Sequence, residues 1–120
     1  MASHAYEGPS GPSTSADPTY LYLVGRPTVS LPIVTLAATK QLLTMPCILA
    51  GWSIIEQAGA AAVWDIFDGD DSTGQLVGAL GLAAGAASVV GPGPDGPYCK
   101  IGLTLARVSG TIRGAIWVKI

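Results

Sequence analysis

The residue types that perform most catalysis are few in this chain and widely separated. The single histidine, His4, lies in a segment dominated by Ser, Pro, Gly and Thr, and neither Cys47 nor Cys99 has a histidine nearby in sequence. A general base must be held within hydrogen-bond reach of its substrate, and a structural zinc ion needs four ligands. We therefore predict that the protein is not an enzyme and has no catalytic, cofactor-binding or metal-binding residues.

A cluster of carboxylates, Asp68, Asp70 and Asp71, is the strongest candidate for a ligand site. Acidic residues in such a loop can bind calcium, but a loop of the EF-hand type also needs a bidentate glutamate at its twelfth position. That position is Ala79. The sequence therefore favours a solvated hairpin loop in which the aspartates hold Asx turns, with calcium binding as the alternative.

Two other features have the composition of binding motifs but not their chemistry. Residues 91–97 (GPGPDGP) contain three prolines, which remove backbone N–H donors, and no lysine directly follows, so this segment is not a phosphate loop. Trp52, Trp64 and Trp117 occur in apolar segments. Tryptophans in that setting are more often anchors of a core or an interface than parts of a ligand-binding cluster.

Charge is scarce and balanced. Charged residues make up 12% of the chain, against about 25% in a typical soluble domain. Residues 18–120 contain six acidic and six basic residues, so this part is formally neutral and lacks the basic stripe of nucleic-acid-binding proteins. A neutral apolar surface repels its neighbours weakly. We therefore expect a homo-oligomer, with a trimer as the first guess, and no nucleic-acid partner.

Neither a membrane span nor an export signal is indicated. The apolar stretch at residues 76–90 contains three glycines and is shorter than the roughly 20 residues that span a bilayer as a helix, so we expect buried strands there and no membrane partner. The first twenty residues lack the basic and apolar regions of a secretory signal. Cys47 and Cys99 are accordingly expected to be free buried thiols rather than a disulfide.

Composition divides the chain into an arm and a domain. Residues 1–19 are rich in Ser, Pro, Gly and Thr and cannot build a core, so we assign them to an extended N-terminal arm and residues 20–120 to one β-domain. Short apolar or alternating segments between Gly and Pro turns are typical of strands. The predicted strands are residues 20–24, 28–36, 40–45, 47–57, 60–67, 75–82, 86–90, 98–108 and 111–120.

These segments, about eight short strands with sharp turns, predict an all-β fold of the β-sandwich or jelly-roll type. Pro32 places its segment at a sheet edge or in an extended arm, and Ser109-Gly110 has the length of a tight hairpin turn. A helix is conceivable only at residues 73–87, where the glycines oppose it.

The last seventy residues resemble a known family. Four motifs occur in order: GWSIIEQAG, DGDDSTG, LAAGAAS and the closing GLTLARVSGTIRGAIWV. Together they resemble small β-sandwich virion proteins of tailed bacteriophages, notably those that infect actinobacteria. The arm and residues 20–48 have no counterpart in the resemblance.

The resemblance implies a virion structural protein without catalysis that oligomerises around symmetry axes. We expect a capsid decoration or cement protein that binds the major capsid protein or other virion subunits and is assembled in the host bacterial cytoplasm. Residues 1–19 would reach onto a neighbouring subunit. The alternatives are a tail or head-fibre component, or a calcium- or carbohydrate-binding β-sandwich module.

Overall fold

The computed structural model describes residues 17–93 and 96–120. One short helix is followed by nine strands. They are α1 (Pro18–Val24), β1 (Thr28–Leu36), β2 (Lys40–Leu43), β3 (Cys47–Glu56), β4 (Ala62–Asp68), β5 (Gln75–Leu82), β6 (Ala87–Val90), β7 (Tyr98–Cys99), β8 (Leu103–Ser109) and β9 (Ile112–Lys119). No helix in these two stretches is long and apolar enough to cross a membrane.

The strands form two antiparallel sheets that enclose one core. The first sheet has the order β1-β9-β3-β6, with the short β7 also paired to β3, and the second has the order β2-β8-β4-β5. Apolar side chains from both sheets make a single buried cluster. The predicted all-β, sandwich-like fold is confirmed, and so is the edge position of the segment that contains Pro32, because β1 ends its sheet.

Alternating burial explains why these segments form strands. In β4, Ala62, Trp64 and Ile66 are fully buried, whereas the residues between them are not. Successive side chains of a strand point to opposite faces, so β4 gives every second residue to the core. β3 differs, because all of its first five residues are buried. That strand lies inside the first sheet, and helix α1 packs on its outer side.

Residues 20–24, predicted to be a strand, belong instead to helix α1. The carboxylate of Asp17 caps the helix by accepting hydrogen bonds from the amides of Thr19 (2.9 Å) and Tyr20 (3.4 Å). Pro18 occupies the start of the helix, where its missing N–H has no partner to lose. A cap of this kind and tertiary packing outweigh the weak β preference of the aromatic and branched residues that follow.

Helix α1 lies across the predicted boundary between arm and domain at residues 19 and 20. Its Leu23 is 3% exposed, and Ile48 of β3 beneath the helix is 1% exposed. Two further contacts join the helix region to the strands: Tyr98 donates a hydrogen bond to Asp17 (3.0 Å), and Lys119 donates one to the Val24 carbonyl (3.1 Å). Residues 1–16 of the predicted arm, including His4, lie outside the described residues.

Two predictions near the C-terminal end are wrong. Residues 98–108 are not one strand, because β7 belongs to the first sheet and β8 to the second. Ser109-Gly110 does not close a hairpin either, because β8 lies in the second sheet and β9 in the first. These two residues carry the chain from one sheet to the other. Gly110 has a φ of 85°, and a Cβ there would lie 2.5 Å from Ala62 Cα. The alternating pattern identified both strands but carries no information about which sheet each one joins.

The packing of α1 predicts a contrast between two leucines of the same helix. Leu23→Ala removes a buried side chain and should lower the free energy of unfolding by about 2–4 kcal/mol. Leu21→Ala, at a position that is 55% exposed, should change it by less than about 0.5 kcal/mol. Urea denaturation followed by circular dichroism measures both, and equal effects would show that the helix does not pack on β3 as described.

Candidate interaction surface

The acidic cluster does not form a solvated loop throughout, because Asp68 is buried. Its carboxylate accepts hydrogen bonds from the amides of Lys100 (2.9 Å), Ile101 (2.9 Å) and Gly102 (3.3 Å). Asp68 is the last residue of β4 in the second sheet, and residues 100–102 follow β7 of the first sheet. The side chain therefore fixes the point where the chain crosses between sheets.

The exposed end of the same cluster behaves as predicted. The Asp71 carboxylate accepts hydrogen bonds from the backbone amide (2.8 Å) and the hydroxyl (2.5 Å) of Thr73. These two bonds, the hydroxyl first, lower the pKa of Asp71. Residues 17–93 and 96–120 contain no group of three or more His, Cys, Asp or Glu side chains that could hold a metal ion.

Glu56 is a carboxylate whose structural role the sequence did not predict. It is 3% exposed at the end of β3 and accepts hydrogen bonds from the amides of Gly85 (2.7 Å), Gly59 (3.0 Å) and Ala58. The Gly85 bond contributes most to lowering the pKa of Glu56, and the other amides add to it against the opposing effect of burial. The sequence signal for this role is a single acidic residue at the end of an apolar strand, with a glycine three residues later.

The tryptophans fall into three environments. Trp64 is fully buried in the core, and its indole N–H has no partner within the described residues. Trp52 packs against the core from one side and donates a hydrogen bond to Ser88 (3.0 Å). It also lines an apolar cavity of about 380 Å³ together with Val77, Val90 and Pro97, among others. Trp117 lies half-buried on the outer side of the first sheet.

The outer side of the first sheet is covered by α1 at one end and open at the other. Strand register places three rows of residues on the open part: Ser30–Trp117–Gly51, Pro32–Ala115–Ser53–Val89 and Arg113–Ile55–Ala87. We call these rows the Arg113 face. Val89 on this face is 64% exposed. Among its members Arg113 is the one charged residue and Gly51 is buried, so the exposed part of the face is nearly neutral.

The outer side of the second sheet has a similar character. Because Trp64 and Ile66 point into the core, the alternate residues of β4 point outward. The outward rows are Gln41–Thr104–Phe67–Leu76, Ala106–Asp65–Ala79 and Val63–Gly81. We call these rows the Asp65 face. Leu76 is 54% exposed, whereas Thr104 and Ala106 are buried, and Asp65 is the one charged residue among these members.

The two faces are therefore apolar surfaces that each present a single charge, and the two charges are opposite. Contiguous exposed apolar patches on soluble proteins mark sites of association. The fold defines the chain as an all-β sandwich with two largely apolar outer sheet faces. No protein-family model matches the chain, and neither a curated protein nor a solved structure shows significant similarity to it.

The buried Glu56 predicts a component of stability that depends on pH. Its pKa is lowered from the ordinary value of 4.5 in the folded state, so its stabilisation is present above the pKa in the unfolded chain and is lost as pH falls through the lower folded pKa. Glu56→Gln should reduce the melting temperature by several degrees at pH 7. The deficit should shrink as pH falls below about 5, the range in which the carboxylate begins to be protonated in the unfolded chain.

Thermal melts of both proteins over this pH range measure the difference. Asp70→Asn, which neutralises an exposed carboxylate, is the matched control and should leave the melting temperature at pH 7 nearly unchanged. If the loss of melting temperature in Glu56→Gln stayed constant with pH, the three amides would require the shape of the side chain and not its negative charge.

Proposed function

We propose that this protein is a non-enzymatic structural subunit that assembles by packing its sheet faces against other protein chains, and that it serves in a virion as a capsid decoration or cement protein. The observation that carries the structural role is the pair of nearly neutral apolar sheet faces. The virion assignment rests on the resemblance of residues 49–120 to phage structural proteins.

The exposure of large apolar side chains supports association with other protein chains as the functional state. Large apolar side chains are exposed on both sheets and on α1, among them Tyr22, Val34, Leu76, Val89 and Val108. Val34, on the edge strand β1, is 83% exposed. Two of the six acids in residues 18–120, Glu56 and Asp68, are buried in hydrogen bonds to backbone amides, which leaves even less charge to keep copies apart.

A second copy is the first partner that these faces fit. The Arg113 face of one copy offers a positive charge within an apolar surface, and the Asp65 face of another offers a negative charge within a surface of the same kind. A contact between two different faces is heterologous, and it closes into a ring when the rotation between copies permits. The trimer expected from the sequence is one such ring.

The position of α1 supports attachment to a larger assembly through the N-terminal segment. Asp17, which joins residues 1–16 to the helix, is held by the hydroxyl of Tyr98 and caps α1. Sixteen extended residues reach up to about 50 Å at about 3.3 Å per residue. The arm therefore starts from a fixed point beside the first sheet with enough length to contact a neighbouring subunit.

The calcium-binding alternative is less well supported, because both carboxylate oxygens of Asp68 already accept hydrogen bonds from amides. A cation placed there would compete with these N–H donors. A tail or head-fibre position requires the same packing faces and is separated from decoration by location in the particle.

Charge exchange between the two faces tests the mode of self-association. Asp65→Arg or Arg113→Asp alone places like charges in the same contact and should weaken self-association at least about tenfold. The double variant restores opposite charges and should recover most of it. Sedimentation velocity across a concentration series measures the constants, with Asp70→Arg as a control that makes the same charge change on a loop.

Two results would contradict this arrangement. Wild-type protein that stays monomeric at tens of micromolar would contradict self-association itself. Single variants that associate as strongly as the wild type would show that other surfaces form the contact.

The virion role is tested on particles produced by the genome that encodes this chain. Quantitative mass spectrometry of purified particles should find many copies for each head, and cryo-electron microscopy should place them on the outer capsid surface. Removal of residues 1–16 should leave the circular dichroism spectrum unchanged and reduce occupancy on the particle. A chain found only in tail fractions would assign it to the tail, and absence from particles would overturn the virion role.

A further inference from the structure

The two cysteines of the chain lie directly opposite each other on neighbouring antiparallel strands. Cys47 of β3 pairs with Cys99 of β7, and Ile48 pairs with Tyr98. The next amide along β3, that of Leu49, donates a hydrogen bond to the Pro97 carbonyl (2.9 Å). Hydrogen-bonded and non-bonded pairs alternate along such a ladder, so Cys47 and Cys99 form a hydrogen-bonded pair.

This pairing brings the Cα atoms of the two cysteines into the range that disulfides join. Hydrogen-bonded pairs in antiparallel sheets have Cα atoms about 5.5 Å apart, and disulfides most often join Cα atoms about 5.5–6 Å apart. Both side chains lie on the inner face, belong to the core cluster and are fully buried. Both are free thiols in this structure, as the sequence analysis expected.

The Cys99 thiol is held in the protonated, unreactive form. A hydrogen bond between Cys47 and Cys99 is the main cause that raises the pKa of Cys99 well above its ordinary value, with burial second and the nearby Asp68 carboxylate contributing. A thiolate is the attacking species in disulfide exchange. The pair is therefore positioned for a bond that forms only slowly while β7 stays closed.

We propose that Cys47 and Cys99 are a latent disulfide pair, which an oxidant converts into a covalent link between β3 and β7. With a small disulfide such as oxidised glutathione, one cysteine sulfur attacks and releases one glutathione thiol, leaving a mixed disulfide. The second cysteine sulfur then attacks the protein-bound sulfur and releases the second glutathione thiol. The two protein thiols lose two protons and two electrons in total, and the glutathione disulfide is reduced to two thiols.

Asp68 controls access to this pair. Its carboxylate holds the amides of residues 100–102, immediately after Cys99, and β7 itself contains two residues. Opening of this short stretch exposes Cys99, whereas Cys47 stays in the long strand β3. Loss of the Asp68 bonds should therefore speed oxidation.

The link would stiffen the molecule at a defined place. It closes the chain between β3 and β7 and so limits the unfolded state, an effect that grows with the length of the closed loop. In the proposed virion role it would form after the particle leaves the reducing host cytoplasm. That consequence rests on the proposed function, whereas the chemistry is a property of the isolated chain and is tested on it.

The experiment treats reduced, folded protein with oxidised glutathione and follows it by intact mass. The expected product is a monomer that has lost about 2 Da, has no thiol left to alkylate after unfolding and yields a cross-linked peptide pair containing Cys47 and Cys99. Its melting temperature should exceed that of the reduced protein by at least about 5 °C. Cys99→Ser should give no such product and no such rise.

Two comparisons test the control by Asp68. Asp68→Asn should oxidise at least about threefold faster than wild type, while Asp71→Asn, which changes the same loop without touching residues 100–102, should oxidise at the wild-type rate. Because Asp68→Asn removes buried bonds, wild-type oxidation is also measured in urea below the unfolding transition, where the rate should rise. Persistent free thiols, two mixed disulfides on one chain, or linkage between chains would each overturn the proposal.

Discussion

The fold depends on the pairing of β3, which has a neighbour along most of each side. It pairs with β9 from Ile48 to Glu56 on one side, and with β7 and then β6 on the other. Its inner face meets the core, and its outer face is covered at one end by α1. Because β3 has partners along most of both sides, the helix, the cysteine pair and the apolar cavity are all positioned relative to this strand.

Close backbone packing around β3 explains why the segment that follows β6 is so rich in glycine. A Cβ on Gly96 would lie 1.3 Å from the Leu49 carbonyl oxygen, and one on Gly51 would lie 2.0 Å from the Val90 carbonyl oxygen. Gly93 donates a hydrogen bond to the Ala50 carbonyl (2.9 Å). Gly96 in this segment and Gly51 in β3 are thus required by close backbone contact.

The local sequence pattern predicted most strands correctly. It failed where the structure depends on contacts between segments that are distant in sequence. The alternation of Ala62, Trp64 and Ile66 gave the core face of β4 correctly, because burial on one face has a period of two. The alternating pattern could not show that β8 and β9 lie in different sheets. The aromatic residues after Asp17 favoured a strand in the prediction, although this segment forms a capped helix. The buried role of Asp68 was not predictable either, since its partners are backbone amides, which the sequence does not distinguish. For Glu56 the sequence offered only a lone acid at the end of an apolar strand.

Because Glu56 and Asp68 are buried, the surface carries even fewer charges than the composition indicates. The Asp68 carboxylate, at the end of β4, accepts a hydrogen bond from the segment that crosses between the sheets. The Glu56 carboxylate, at the end of β3, accepts hydrogen bonds from the amides of Gly59 and Gly85 in two different turns. Both acids stabilise the inside of the molecule and contribute little to its outer potential. The sheet faces keep one charge each, Asp65 and Arg113, so apolar burial must provide most of any association energy. In the proposed self-association, a single charge on each face would select which face meets which, since like charges in an apolar contact are strongly unfavourable.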